Sequence, residues 1–175
     1  VEVQVDLPFA QRIENIGSHR DNAGMCVMSS IEMLFRWEGL EEYRGLRDWA
    51  AQYRGGADPA KVDDQLKKYA EEKHISLPPY FQREDRNRDL TLLRLSLSTW
   101  RPVAVTYDGH DGVRYRQSIA HMVLMVHMDA EYVGILDNNY IGENELLWMT
   151  VSEFTQRWSG WAVYCTAPPP PPTPH

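Results

Sequence analysis

Apolar positions between Gly24 and Trp37 recur at helical spacing, with Val27, Ile31, Leu34 and Phe35 on one stripe and Met28 beside them. Asp21 and Asn22 precede this stripe as residues suited to an N-cap, and Gly39 follows it as a stop. A second helix is predicted over Leu46–Tyr53, broken by Gly55-Gly56. A third opens at Asp58 with Pro59 in its first helical position, carries Val62, Leu66 and Tyr69 on one face, and runs to about Lys73. The polar run Gln82–Asp89 reads as a charged surface loop. Leu90–Thr99 satisfies two patterns, since Leu93, Leu95 and Leu97 also alternate as in a strand; helix is preferred.

Beyond Pro102 the period changes. Pro102–Tyr107 is β-branched and strand-like, and Asp108-Gly109 with Asp111-Gly112 marks a loop. Ile119–Met128 and Tyr132–Asn138 read as strands joined by a turn at 129–131, and Glu145–Met149 as another. Thr150 and Glu153 have capping-box spacing for a short helix containing Phe154 and Trp158, and Gly160–Thr166 forms a last strand. Helices first and an antiparallel sheet second predict an α+β fold. Its single domain is expected over residues 1–166. Residues 167–175 form a tail, because prolines from Pro168 to Pro172 can join neither a helix nor a central strand.

Composition narrows the function classes. The 175 residues suffice for one core, and 43% hydrophobic residues argue against general disorder. A net charge of −7 argues against a nucleic-acid or anionic-membrane binder, which needs a cationic surface. No apolar run approaches the roughly 20 residues of a membrane span, and residues from Val1 onward show no signal-peptide pattern. Two cysteines, Cys26 and Cys165, exclude a disulfide scaffold and a four-cysteine zinc site. No glycine-rich phosphate loop follows a strand, and no His pair has a compact metal-ligand spacing, so no cofactor or metal is expected.

Cys26 carries the sharpest signal. It falls in the first turn of the first predicted helix, where the dipole and uncapped N–H groups favour a thiolate. Ala23 and Gly24 leave room for a substrate backbone, and the same N–H groups suit a developing oxyanion. A nucleophilic thiol needs a base, and the base an orienter. Among six histidines, His74 is expected to be exposed, His110 sits in a turn, and His175 lies in the tail. His121 and His127 share one predicted strand, six residues apart and therefore on one face. Pairing Met128 near Tyr132 sets His121 opposite Asn139, and a slip of one or two residues brings Asn138 or Asp137 beside it. Cross-strand Cβ atoms are then about 4.5–5.5 Å apart. His127, near the turn, has no acidic partner in this scheme. Taken alone, Cys26 also reads as a small buried residue and His121 as a structural histidine; their combination with Asp137 favours catalysis. Cys165, in the last strand, reads as a buried structural thiol. Catalysis requires that the two cysteines remain unbridged. The tryptophans and Met25, Met28, Met122, Met125 and Met128 read as packing or groove walls.

A Cys at the start of the first main helix, a His at a strand start, and an Asp or Asn ending the next strand resemble the papain-like cysteine peptidases. The stretch from Arg101 to Asn139, with Asp137 16 residues after His121, is similar to the branch containing the bacteriocin-leader-processing (double-glycine) peptidases. The resemblance spans about Gly17 to Cys165. It implies a papain-like fold, no cofactor, and a peptide or protein substrate. In site terms it implies Cys26 as nucleophile, His121 as general base and acid, and Asp137 as orienter, with Asn138 as the alternative. The family usually has a Gln shortly before the Cys to complete the oxyanion hole. The matching position is Arg20, which leaves Asn22 or Gln11 as candidate donors. The same three residues would serve an acyl transferase or amidase, and the departure at Arg20 also fits a non-catalytic binding module.

Overall fold

The computed structural model describes residues 4–167, so the proline run and His175 lie outside the described residues. The apolar stripe at Val27 belongs to α1 (Cys26–Trp37), which is buried from Val27 to Phe35. It is enclosed on its polar side as well, because Glu32 has its own acceptor duty. One Glu32 oxygen accepts the backbone N–H groups of Gly45 and Arg47 at 3.2 and 2.9 Å, and the other pairs with Arg36 at 2.6 Å. A carboxylate at the start of α2 (Leu46–Tyr53) complements that helix's dipole. α3 (Pro59–Lys73) begins as predicted, with the Asp58 side chain accepting from Ala60 and Lys61 N–H. α4 (Thr91–Ser98) resolves the ambiguous leucine segment as helix, burying Leu93 and Leu97 and exposing Leu95.

Six strands form one antiparallel sheet among the described residues: β1 (Tyr80–Glu84), β2 (Val103–Asp108), β3 (Ala120–Met128), β4 (Tyr132–Leu136), β5 (Leu147–Thr150) and β6 (Trp158–Cys165), in the order β1-β6-β2-β3-β4-β5. With α5 (Val151–Arg157), the described residues hold five α-helices and an α+β fold. α1 lies across β3, β2 and β6. That placement explains why β3 is buried along nearly its whole length instead of alternating.

Five expectations are corrected. The N-cap of α1 is Met25; Asp21 instead turns back onto Ala23 N–H at 3.0 Å. β1 occupies part of the run read as a loop, since an exposed edge strand carries polar side chains without penalty. Trp158 leaves α5 and starts β6, with its ring buried. His121 and His127 do not share a face: the β3–β4 register slips between Met125 and His127, and a bulge there reverses every later side chain. His127 also has an acidic partner, with Nε2 2.8 Å from Asp129 Oδ2, and its ring rests on Trp148.

Candidate active site

The chain before α1 folds back on itself. Gly17 and Gly24 form an isolated antiparallel bridge, and Met25 N–H donates to Ile16 O at 2.9 Å. Asp21 fastens this turn to the next loop, accepting from Ala23 N–H with one oxygen and from Gly56 N–H, at 3.2 Å, with the other. The fit is tight: a Cβ on Gly56 would stand 2.7 Å from that of Ala23. These loops form one wall of an open cleft, and Ile119, Ala120 and His121 the other, with Cys26 between them. Met25 provides no side-chain cap, so no side chain competes for the first-turn N–H groups of α1 beside the thiol.

His121 enters the cleft from the start of β3, opposite Tyr107 on β2. β4 pairing ends at Leu136 opposite Leu124, and Asp137 follows directly. Its Oδ1 lies 2.7 Å from His121 Nε2. The Cys26 thiol lies within reach of the same ring, which acts on its ionisation. With Asp137 ionised, Nε2 donates to it and Nδ1 is left for sulfur. Asp137 is wholly buried yet fully engaged. Oδ2 accepts from the Tyr115 hydroxyl at 2.7 Å, and Oδ1 also accepts Asn139 N–H at 2.9 Å. Asn139 Nδ2 in turn donates to Tyr115 Oη at 3.0 Å.

The electrostatics follow from these contacts. Burial opposes a charged Cys26, but the His121 hydrogen bond and charge outweigh it, so the thiol is held below its ordinary value. Burial would also depress His121, but the Asp137 hydrogen bond, followed by Cys26, pushes it up to about 9. Burial acts to raise Asp137 too, whereas His121, Tyr115 and Asn139 bring it below the usual carboxylate range. The arrangement favours thiolate beside imidazolium. Cys165 is the opposite case: burial in β6 pushes its thiol up to about 12. Both cysteines are free, and Cys26 is the part-exposed one.

The structure thus brings Cys26, His121 and Asp137 together but not the other named candidates. Asn138 Nδ2 donates to Cys26 O, Ser30 Oγ and Met122 O at 3.1, 2.9 and 2.9 Å, tying α1 to β3 instead of orienting His121. Asn138→Ala is expected to cost about 1–3 kcal/mol in urea unfolding, the usual penalty for orphaned buried groups, while leaving the pH midpoint of Cys26 alkylation unchanged. Asn22 is exposed at φ +57°, outside the cleft lining. Gln11 faces Arg44, whose Nη2 donates to its Oε1 at 2.6 Å. Arg20 donates to Tyr53 O at the end of α2. His74 ends α3 and His110 is exposed.

Tyr115 and Asn139 were missed as site residues. Asn139 adjoins Asp137 and was legible by proximity, but Tyr115 sits in the β2–β3 loop, where nothing local marks it. Asn15, also missed, lines the cleft from the segment before the turn. Among the described residues no cluster of three or more His, Cys, Asp or Glu is arranged to hold a metal ion. No helix there is long and apolar enough to cross a membrane. No protein-family model matches the chain, and no curated protein matches it.

Proposed function

We propose that the chain is a papain-like cysteine hydrolase that cleaves amide bonds in a peptide or protein through a thioester acyl-enzyme. The observation supporting this reading is the cleft that holds the part-exposed Cys26 together with His121, whose ring is bonded to the buried, ionised Asp137. A helix carrying the thiol, packed on an antiparallel sheet carrying the other two groups, is consistent with the papain-like part of the proposal. Cys26 thiolate attacks the scissile carbonyl, whose oxygen takes the negative charge beside the first-turn N–H groups of α1. His121 imidazolium gives its proton to the departing amine as the carbon–nitrogen bond breaks, leaving a thioester. The neutral imidazole then removes a proton from water, hydroxide adds to the thioester, and the acid leaves as collapse expels the thiolate beside the regenerated imidazolium. Asp137 keeps its charge throughout and holds the ring in one tautomer.

p-Nitrophenyl acetate supplies a substrate-independent test. Wild-type protein should release a burst of p-nitrophenol and carry one acetyl group on Cys26 by peptide mass spectrometry, whereas Cys26→Ala should show neither. Fragments appearing in a mixture of unstructured peptides, and absent with Cys26→Ala, identify the peptidase. An acetyl group transferred to an added amine instead of water would point to an acyltransferase. No acetylation of Cys26 would defeat the proposal.

A further inference from the structure

We infer that Asn15 is the side-chain donor of the oxyanion hole, acting opposite the Cys26 backbone N–H. The inference rests on the cysteine-hydrolase reading above. The segment carrying Asn15 is pinned to the residues just before Cys26: Asn15 N–H donates to Asn138 O at 2.8 Å, and Ile16 and Gly17 hold Met25 and Gly24. The Asn15 amide lies against Gly24, two residues before Cys26. A Cβ on Gly24 would stand 3.3 Å from Nδ2 and 3.7 Å from Oδ1, so a side chain there would crowd the amide.

Asn15 lines the same cleft as Cys26 and His121, yet its Oδ1 is buried without a partner. Here the buried end is the acceptor. Nδ2 donates to no protein group among the described residues. It is therefore available for a charge-assisted bond to an anionic oxygen.

The other candidate donors are engaged or lie outside the cleft. Asn139 also lines the cleft, but its Nδ2 already gives one N–H to Tyr115, which fixes its direction. Asn138 Nδ2 is spent on α1 and β3. Gln11 faces Arg44. Lys61 reaches the cleft but has Asp58 3.8 Å from its Nζ. Asn15 is the one cleft-lining carboxamide, among the described residues, whose NH₂ remains unengaged.

The test compares two reactions of one thiol. Acylation by p-nitrophenyl acetate passes through an oxyanion; alkylation by iodoacetamide displaces iodide and forms none. Asn15→Ala should slow acylation about 10²–10³-fold, the usual effect of removing an oxyanion donor, and leave alkylation within about twofold. Asn15→Leu, which fills the same volume, should behave alike and guards against a cavity effect. The assignment is overturned if both rates stay at wild-type values, or if both fall together in the two variants. Wild-type Cys26 that alkylates no faster than free cysteine would instead overturn the hydrolase reading itself.

Discussion

Iodoacetamide added to the native protein at neutral pH should modify Cys26 and leave Cys165 untouched, and the rate should rise with pH in two steps. The first step reports formation of the thiolate–imidazolium pair. It should fall below the midpoint of free cysteine, because His121 donates to the sulfur and contributes a positive charge. The second should follow deprotonation of His121 at about 9. Losing the neighbouring cation raises the electron density on an already ionised sulfur, so the rate climbs again. The steps belong to the coupled pair, not to either residue alone. His121→Ala should merge them into one, moved upward, because burial then acts on the thiol with only the smaller effects of the Met122 and Val27 backbone against it. Amide hydrolysis should respond differently, rising through the first step and falling through the second as the proton for the leaving amine disappears. It should drop about 10²–10⁴-fold in His121→Ala. Mass spectrometry of quenched digests across pH 4–10 separates the cases, and one step at the free-cysteine midpoint would sink the activated-thiol model. Cys165, raised to about 12 by burial, should react only after unfolding.

Asp137→Ala should be the most destabilising single change at the site. It removes the acceptor for His121 Nε2, Tyr115 Oη and Asn139 N–H in one step, and it leaves a raised histidine buried without its counter-charge. Breaking a buried pair in this way costs about 3–5 kcal/mol. Against a total stability of about 5–15 kcal/mol, that should lower Tm by about 6–20 °C for a chain of this size. Asp137→Asn keeps an acceptor oxygen for His121 and should cost markedly less, while removing the charge that raises the histidine.

The pH dependence of stability adds a signature. His121 binds its proton more tightly folded than unfolded. Its contribution is therefore complete below about 6.5, the unperturbed value, and is lost as pH rises through about 9. Asp137 has the opposite sign: its contribution is present above about 3.9 and fades as pH falls through its lowered folded value. Urea midpoints should therefore hold up best between those limits. In Asp137→Asn the decline between about 6.5 and 9 should flatten. Asp137→Ala at wild-type stability would refute the buried-pair account.

Much of this architecture was legible along the chain. α2 coincides with its predicted span, and α3 begins and ends where Asp58, Pro59 and Lys73 indicated. Thr150 does cap α5, accepting Glu153 N–H at 3.1 Å, although Glu153 turns to Arg157 and does not complete the box. These signals are local: a cap and a periodic stripe act within a few residues and survive any tertiary context. β1 was missed because its pairing with β6 joins residues about eighty apart, as Tyr80 with Cys165. Two-fold alternation also placed His127 wrongly, since one extra residue in β3 inverts the face and leaves no compositional trace.

The candidate site divides in the same way. Sequence alone determined that a thiol would start a helix, that a histidine would start a strand, and that a carboxylate would end the strand hairpinned to it. Each position follows from short-range periodicity and turn chemistry. Only the tertiary structure decided where each amide stands and which partners it has. Asn138 differs from Asp137 by one step along the chain, and that step turns its side chain from His121 to the seam between α1 and β3. Gln11 and Asn22 are drawn off to Arg44 and to an exposed turn, while Asn15 is held against Gly24 by its own backbone bond to Asn138 and by those of Ile16 and Gly17 to Met25 and Gly24. Such choices rest on contacts between distant segments, so they are settled by packing: a side chain's role depends on the direction its backbone gives it and on which partners are already taken.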